Sequence, residues 1–184
     1  CAWGRSESSE TAAAFLADIQ AQDGSVGIRE GKLVPGWPTS LAILAWLAQR
    51  SAPDIMRNRF NAQVERGLEW LQAAKSELFP RNHEVWHNTM LLAWPWVEGT
   101  HAWVEPTAMS VLALKAAGWS DHPRTRTAVK VLLDRQLAGG GCNYGNTRVL
   151  DRELRPQMQP TGMALVALCG ETDPHARLSR AWKY

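Results

Sequence analysis

The sequence predicts an all-α domain built from repeated helical hairpins laid down in concentric layers. Three observations carry this. Pro-Thr opens an apolar run three times, at Pro38-Thr39, Pro106-Thr107 and Pro160-Thr161. Aligned on the proline, the copies agree position by position. Leu41, Met109 and Met163 are large, Ala42, Ser110 and Ala164 are small, Leu44, Leu112 and Val166 are aliphatic, and Ala45, Ala113 and Ala167 coincide. Each run also follows an amphipathic segment and a loop rich in Gly or Trp. Self-similarity of this kind marks a repeat architecture. A helix that is apolar around most of its circumference must be buried on several sides. Alternating inner, apolar helices with outer, amphipathic ones gives layers of hairpins rather than a simple bundle. The repeats span about 9–50, 55–118 and 121–170 within a single domain over 1–184.

Taken in order, Ser8 or Ser9 is placed to cap a first helix reaching about Gln22, with Phe15, Leu16 and Ile19 as its apolar stripe. Asp23-Gly24-Ser25 stops it, and a Gly-rich loop leads to the first inner helix, from Pro38 to about Arg50. Proline at the first helical position wastes no hydrogen bond. After a turn at Ser51-Ala52-Pro53-Asp54, a second outer helix runs from about Met56 to Lys75. Val64, Leu68 and Leu71 form its buried face with Trp70 beside it, and Glu65, Arg66 and Glu69 its wet side.

Residues 76–105 are the least regular stretch, and a connection this long is either functional or contains a short helix, about Glu84 to Leu92. The central inner helix runs from Pro106 to about Ala117 and closes at Gly118. Asp121-His122-Pro123 starts a third outer helix, to about Leu137, ended by Gly139-Gly140-Gly141. The last inner helix stops near Gly170, and Thr172-Asp173-Pro174 looks like the cap of one more. The outer helices end alike, in Leu16-x3-Gln20, Leu68-x3-Gln72 and Leu132-x3-Gln136, and each Gln is placed to tie down the following loop.

Bulk properties narrow the function classes. Hydrophobic residues make up 45% of 184, which is globular rather than disordered. The net charge of +2 is spread along the chain and leaves no clustered basic face for nucleic acid. No apolar run reaches the roughly 18 residues that span a bilayer, and no signal peptide is visible. Cys1, Cys142 and Cys169 are odd in number and widely spaced, which points to reduced thiols and no disulfide framework. The compartment these features fit is the cytoplasm, with peripheral membrane attachment as the variant. A start at Cys rather than Met fits a processed chain or a fragment.

The chain resembles the prenyltransferase and squalene-cyclase (squalene-hopene cyclase-like) repeat superfamily. That family follows an outer helix with Gln, a short spacer and Gly-x-Trp. Here the pattern appears as Gln20 with Asp23-Gly24-Ser25-Val26-Gly27, and as Gln136 with Gly140-Gly141-Cys142-Asn143-Tyr144-Gly145. Val26 and Cys142 stand where the family places Trp, and Gln72 is followed at longer range by Trp94-Pro95-Trp96. The resemblance implies an α/α toroid around an apolar cavity, of which this chain supplies roughly half a ring of three inner/outer pairs. It also implies that the rest of a longer chain, or a second chain, completes the ring.

The cyclases carry Asp-x-Asp-Asp-Thr-Ala at an inner-helix start. Aligned on Thr107-Ala108, that motif falls on Trp103-Val104-Glu105-Pro106, so Glu105 replaces the middle acid while Trp103 and Pro106 replace its neighbours. The resemblance thus makes Glu105 the candidate catalytic acid of an isomerase or cyclase. The alternative is a helix-start carboxylate favoured by the helix dipole. Trp37, Trp94, Trp96, Trp103 and Tyr144, with Trp86, precede inner helices. They are either the walls of a site for an apolar, isoprenoid-like small molecule or wedges between hairpins. Prenyltransferase zinc ligands have no counterpart: there is no Asp-x-Cys pair, and His83, His87, His101, His122 and His175 show no ligand spacing to Cys142 or Cys169. No metal or other cofactor is expected. His87 and His101 read as surface or loop-bonding residues, Cys169 as a small buried residue on an inner helix, and Cys142 as a loop thiol with nothing to lower its pKa. Two functions therefore stand: a cyclase-like protein holding an isoprenoid, and a non-catalytic binding or protein-interaction module on the same scaffold.

Overall fold

The structure, a computed structural model, describes residues 7–32, 34–49, 58–80 and 85–172. The turn at 51–54, the expected helix start at Met56, Cys1, His83, His175 and the helix after Thr172 lie outside them.

Among the described residues the domain is mostly helical, with six helices: α1 (Glu7–Asp18), α2 (Thr39–Ala48), α3 (Asn61–Ala73), α4 (Val104–Ala116), α5 (Pro123–Asp134) and α6 (Met158–Ala167). The three Pro-Thr runs are α2, α4 and α6. The helix α4 packs against both α2 and α6, while α1 and α3 pack on α2, and α5 packs on α4. The core lies between these pairs. Ile43 and Trp46 of α2, Val111 and Leu114 of α4 and Leu132 of α5 are almost wholly removed from water. Gly67 of α3 is required by this packing, because a Cβ there would sit 2.9 Å from Cγ1 of Ile43.

One device positions each Pro-Thr helix. The Thr of each Pro-Thr pair grips the backbone of one residue in the preceding loop. Thr39 Oγ1 accepts from the Val26 N–H at 2.8 Å and donates to the Gly36 carbonyl at 2.7 Å. Thr107 Oγ1 accepts from the Trp94 N–H at 3.4 Å and faces the Trp94 carbonyl at 3.3 Å. Thr161 Oγ1 accepts from the Cys142 N–H at 2.9 Å and faces the Cys142 carbonyl at 3.1 Å. Loop amides buried beside a helix start need such a partner. The anchor makes Trp94 equivalent to Val26 and Cys142, although the loop lengths differ.

Several boundaries differ from expectation. Glu7 already belongs to α1, so Ser8 and Ser9 lie inside it, and the helix stops at Asp18. Phe15 is half exposed, and Ala13 is the α1 residue that is buried. Both α4 and α6 begin two residues before their proline. The first four amides of a helix have no intrahelical partner, so proline is tolerated anywhere in that turn. No helix forms in the described residues 85–103. That stretch is tied instead by backbone bonds from Ser76 to Ala93, Glu77 to Thr100 and Trp103 to Trp94.

Between α5 and α6 a two-stranded hairpin, β1 (Arg148–Val149) and β2 (Arg152–Glu153), turns at Leu150 and Asp151, both with positive φ. The helical pattern of the flanks gave no sign of it. The repeated Gln behaves in three ways. Gln20 donates to the carbonyls of Gly24 and Gln63 and accepts from Arg66, Gln72 is exposed, and Gln136 is buried with its backbone bridged to Cys142. Among the described residues no helix is long and apolar enough to cross a membrane.

Candidate functional site

Aromatic residues from separate segments meet in one cleft of about 340 Å³ at the starts of α2 and α4. Trp37 enters from the loop before α2, Trp70 from α3, and Trp94 and Trp96 from the loop before α4. Its volume falls in the range of roughly 300–1,000 Å³ usual for small-molecule sites. Trp37 and Trp96 meet edge to face, with ring centroids 4.9 Å apart and planes at 85°. Trp70 lies against Gly36, where a Cβ would come within 2.5 Å of its ring. The Pro35-Gly36-Trp37-Pro38 turn thus leaves room for a second indole beside the first.

Trp94 is the rigid wall. It is buried, its indole N–H donates to the Leu71 carbonyl at 3.1 Å, and the Thr107 anchor holds its backbone. Behind it the Arg124 guanidinium sits 4.2 Å from the ring centroid. Arg124, in the first turn of α5, also donates to the carbonyls of Ala74 and Ala93. Burial pushes its guanidinium down to about 10, which leaves it charged at neutral pH. Glu77 and Glu98 line the cleft, as does Lys75, and all three are exposed.

Of the residues singled out in the sequence, Trp37, Trp94 and Trp96 come together here, and Trp103 and Tyr144 do not. Trp103 packs on His101, with ring centroids 4.4 Å apart, and against Gly145, where a Cβ would lie 2.9 Å from its ring. Tyr144 is partly exposed, and its carbonyl accepts from the Val104 N–H at 2.8 Å. These two residues close the seam between the α6 loop and α4. Trp86 is exposed and covered on one face by Arg148, 4.0 Å from its centroid, at a second, more polar groove of about 590 Å³.

Trp70, Glu77 and Glu98 went unrecognised as site residues. Trp70 reads as an outer-helix residue beside the packing stripe. Only the glycine next to Trp37 hints that something large must sit there.

Glu105 lies in the first turn of α4, buried at 3% exposure, and lines neither cleft. Burial pushes its carboxyl above the ordinary value, while a hydrogen bond with the Gln159 side chain of α6 pulls the other way. Its Oε1 has no hydrogen-bond partner among the described residues. Its neighbours in the motif serve the scaffold: Thr107 is the anchor and Ala108 is fully buried.

Two smaller expectations are corrected, on His87 and Cys169, and one, on Cys142, is sharpened. His87 is not a surface residue: it is buried at 5% exposure because the central loop folds over the end of α5. Burial, then the charges of Arg135 and His101, push it down to about 3. Cys169 is exposed and lies beyond the end of α6 at Ala167. Cys142 is buried in its anchor, and burial pushes its thiol up to about 12, so it is a poor nucleophile. No group of three His, Cys, Asp or Glu residues that could hold a metal forms among the described residues. Comparison of the chain with protein-family models, with curated proteins and with solved structures finds no match.

Proposed function

We propose that this domain is a helical-repeat binding module whose Trp-lined cleft takes an apolar small molecule of isoprenoid size and character. One observation carries the reading: Trp37, Trp70, Trp94 and Trp96, drawn from three separate segments, converge on one concave site. Indole walls supply large apolar contact at low entropic cost. An arc of an α/α toroid is supported by α4 packing on both α2 and α6 while α3 packs on α2 and α5 on α4. On this reading further repeats or a second chain would continue the arc. Mass measurement in solution checks the second option, and a strict monomer at high concentration sinks it.

Titration with farnesol, followed by Trp fluorescence, tests the binding reading. Trp96→Ala removes a wall and is expected to weaken binding about tenfold or more, in line with an aromatic anchor worth about 2 kcal/mol. Equal affinity of the variant and the parent would remove the cleft as the site.

A second reading, in which the protein is a cyclase-like isomerase, draws on Glu105 alone. A buried carboxyl with a raised pKa stays protonated at higher pH than an ordinary one, which suits a mild general acid rather than the strong acid that alkene protonation requires. Incubation with polyprenyl substrates, comparing parent with Glu105→Gln, separates the readings. Cyclised product that disappears in the variant supports catalysis; ligand retention without turnover supports the binding module.

A further inference from the structure

We propose that the Trp cleft takes the alkylated ammonium group of a small organic cation of the choline type. The inference rests on the cleft being a ligand site and specifies what its walls select.

Trp37 and Trp96 meet almost at a right angle, so their rings form a corner rather than a flat platform. With Trp70 and Trp94 they make an aromatic enclosure suited to a compact, rounded group. The π face of an indole is electrically negative and attracts cations, best of all those whose charge is spread and weakly hydrated. Trp94 already carries one, with the Arg124 guanidinium 4.2 Å from its centroid.

The cleft also carries carboxylates. Glu77 and Glu98 line it, exposed, and form no ion pair among the described residues, whereas Lys75 on a flexible stem and Arg124, already bonded to the carbonyls of Ala74 and Ala93, contribute opposing charges. The Ser110 hydroxyl donates to the Pro106 carbonyl at 2.8 Å and the Trp94 N–H to Leu71, so two polar groups of the walls are already committed. A quaternary ammonium group has no N–H to satisfy and asks for none of them. It is apolar enough at its methyl surface to leave water, yet it responds to the field of two carboxylates.

The test compares choline with 3,3-dimethylbutan-1-ol, the neutral molecule of the same shape, by Trp fluorescence titration of the full chain. Choline is expected to bind about 30-fold more tightly, the size of a desolvated cation–π contribution. The double variant Glu77→Gln/Glu98→Gln, at exposed positions where folding is not at stake, should weaken choline several-fold and leave the alcohol unchanged. Trp96→Ala should weaken both. An alcohol that binds as well as choline, or a double variant that leaves their ratio unchanged, overturns the inference. If farnesol binds in a Trp96-dependent way while choline does not, only the cation preference falls. If farnesol, the alcohol and choline all fail to bind, the cleft is no ligand site and both readings fall together.

Discussion

The helices α4 and α6 begin with the same device and end in different surroundings. Each opens on Pro-Thr, and each Thr grips the backbone of a loop residue. Yet Val104 and Ala108 of α4 are fully buried, whereas the equivalent Met158 of α6 is 94% exposed and Gly162 has open space around it. Val166, the counterpart of half-buried Leu112, is 61% exposed. The reason is neighbours. The helix α4 is flanked by α2, α5 and α6, while α6 packs chiefly on α4. In a repeat array each unit buries its faces against adjacent units, so identical patterning gives unequal burial. Polar side chains are buried on either side of α4 in the chain, Glu105 and His87 up to its first turn and Arg135 and Gln136 after α5.

The sharpest test of this contrast is truncation in the two helices. Leu114→Ala in α4, at a fully buried site, is expected to cost about 2–5 kcal/mol in denaturant unfolding. Val166→Ala in α6 should stay within about 0.5 kcal/mol. Comparable losses would mean that the outer face of α6 is covered in solution.

Stability against pH should report the buried centre. His87 has a folded pKa pushed from 6.5 to about 3, so below pH 6.5 the unfolded chain takes up a proton that the folded one refuses. Stability is then full above pH 6.5 and falls as pH drops toward 3, with a slope approaching about 1.4 kcal/mol per pH unit for one proton. His87→Gln should flatten that slope. Equal slopes in parent and variant would place the titration elsewhere. Glu105 acts with the opposite sign. Its raised pKa means that ionisation disfavours the folded state, so Glu105→Gln should gain on the parent as pH rises above the ordinary carboxylate value. A variant that instead loses stability at neutral pH would show that the charged form is held by its neighbours.

The anchors give the finest comparison. Thr39→Val, Thr107→Val and Thr161→Val each leave buried backbone groups unpaired, at a cost of about 1–3 kcal/mol. The Thr107 contacts, at 3.3 and 3.4 Å, are longer than the 2.9 Å bond accepted by Thr161, so Thr107→Val should cost least of the three. If it costs most, burial rather than bond length governs the anchor.

What the sequence determined by itself is a mostly helical domain in which the three Pro-Thr runs are helices alternating with amphipathic ones. That was legible because Pro, Thr and the small residues act locally, through first-turn geometry and close helix contact. Trp37, Trp94 and Trp96 stand out in the sequence only together with Trp86, Trp103 and Tyr144, because Trp crowding before the Pro-Thr helices is a linear feature. Only the tertiary structure decided which indoles share a cleft, because Trp70 comes from α3 and packs against Gly36, next to Trp37. It likewise decided that Glu105 is buried away from that cleft and that His87 is inside. Burial and convergence depend on which loop folds over which helix, and no local pattern in the chain encodes that.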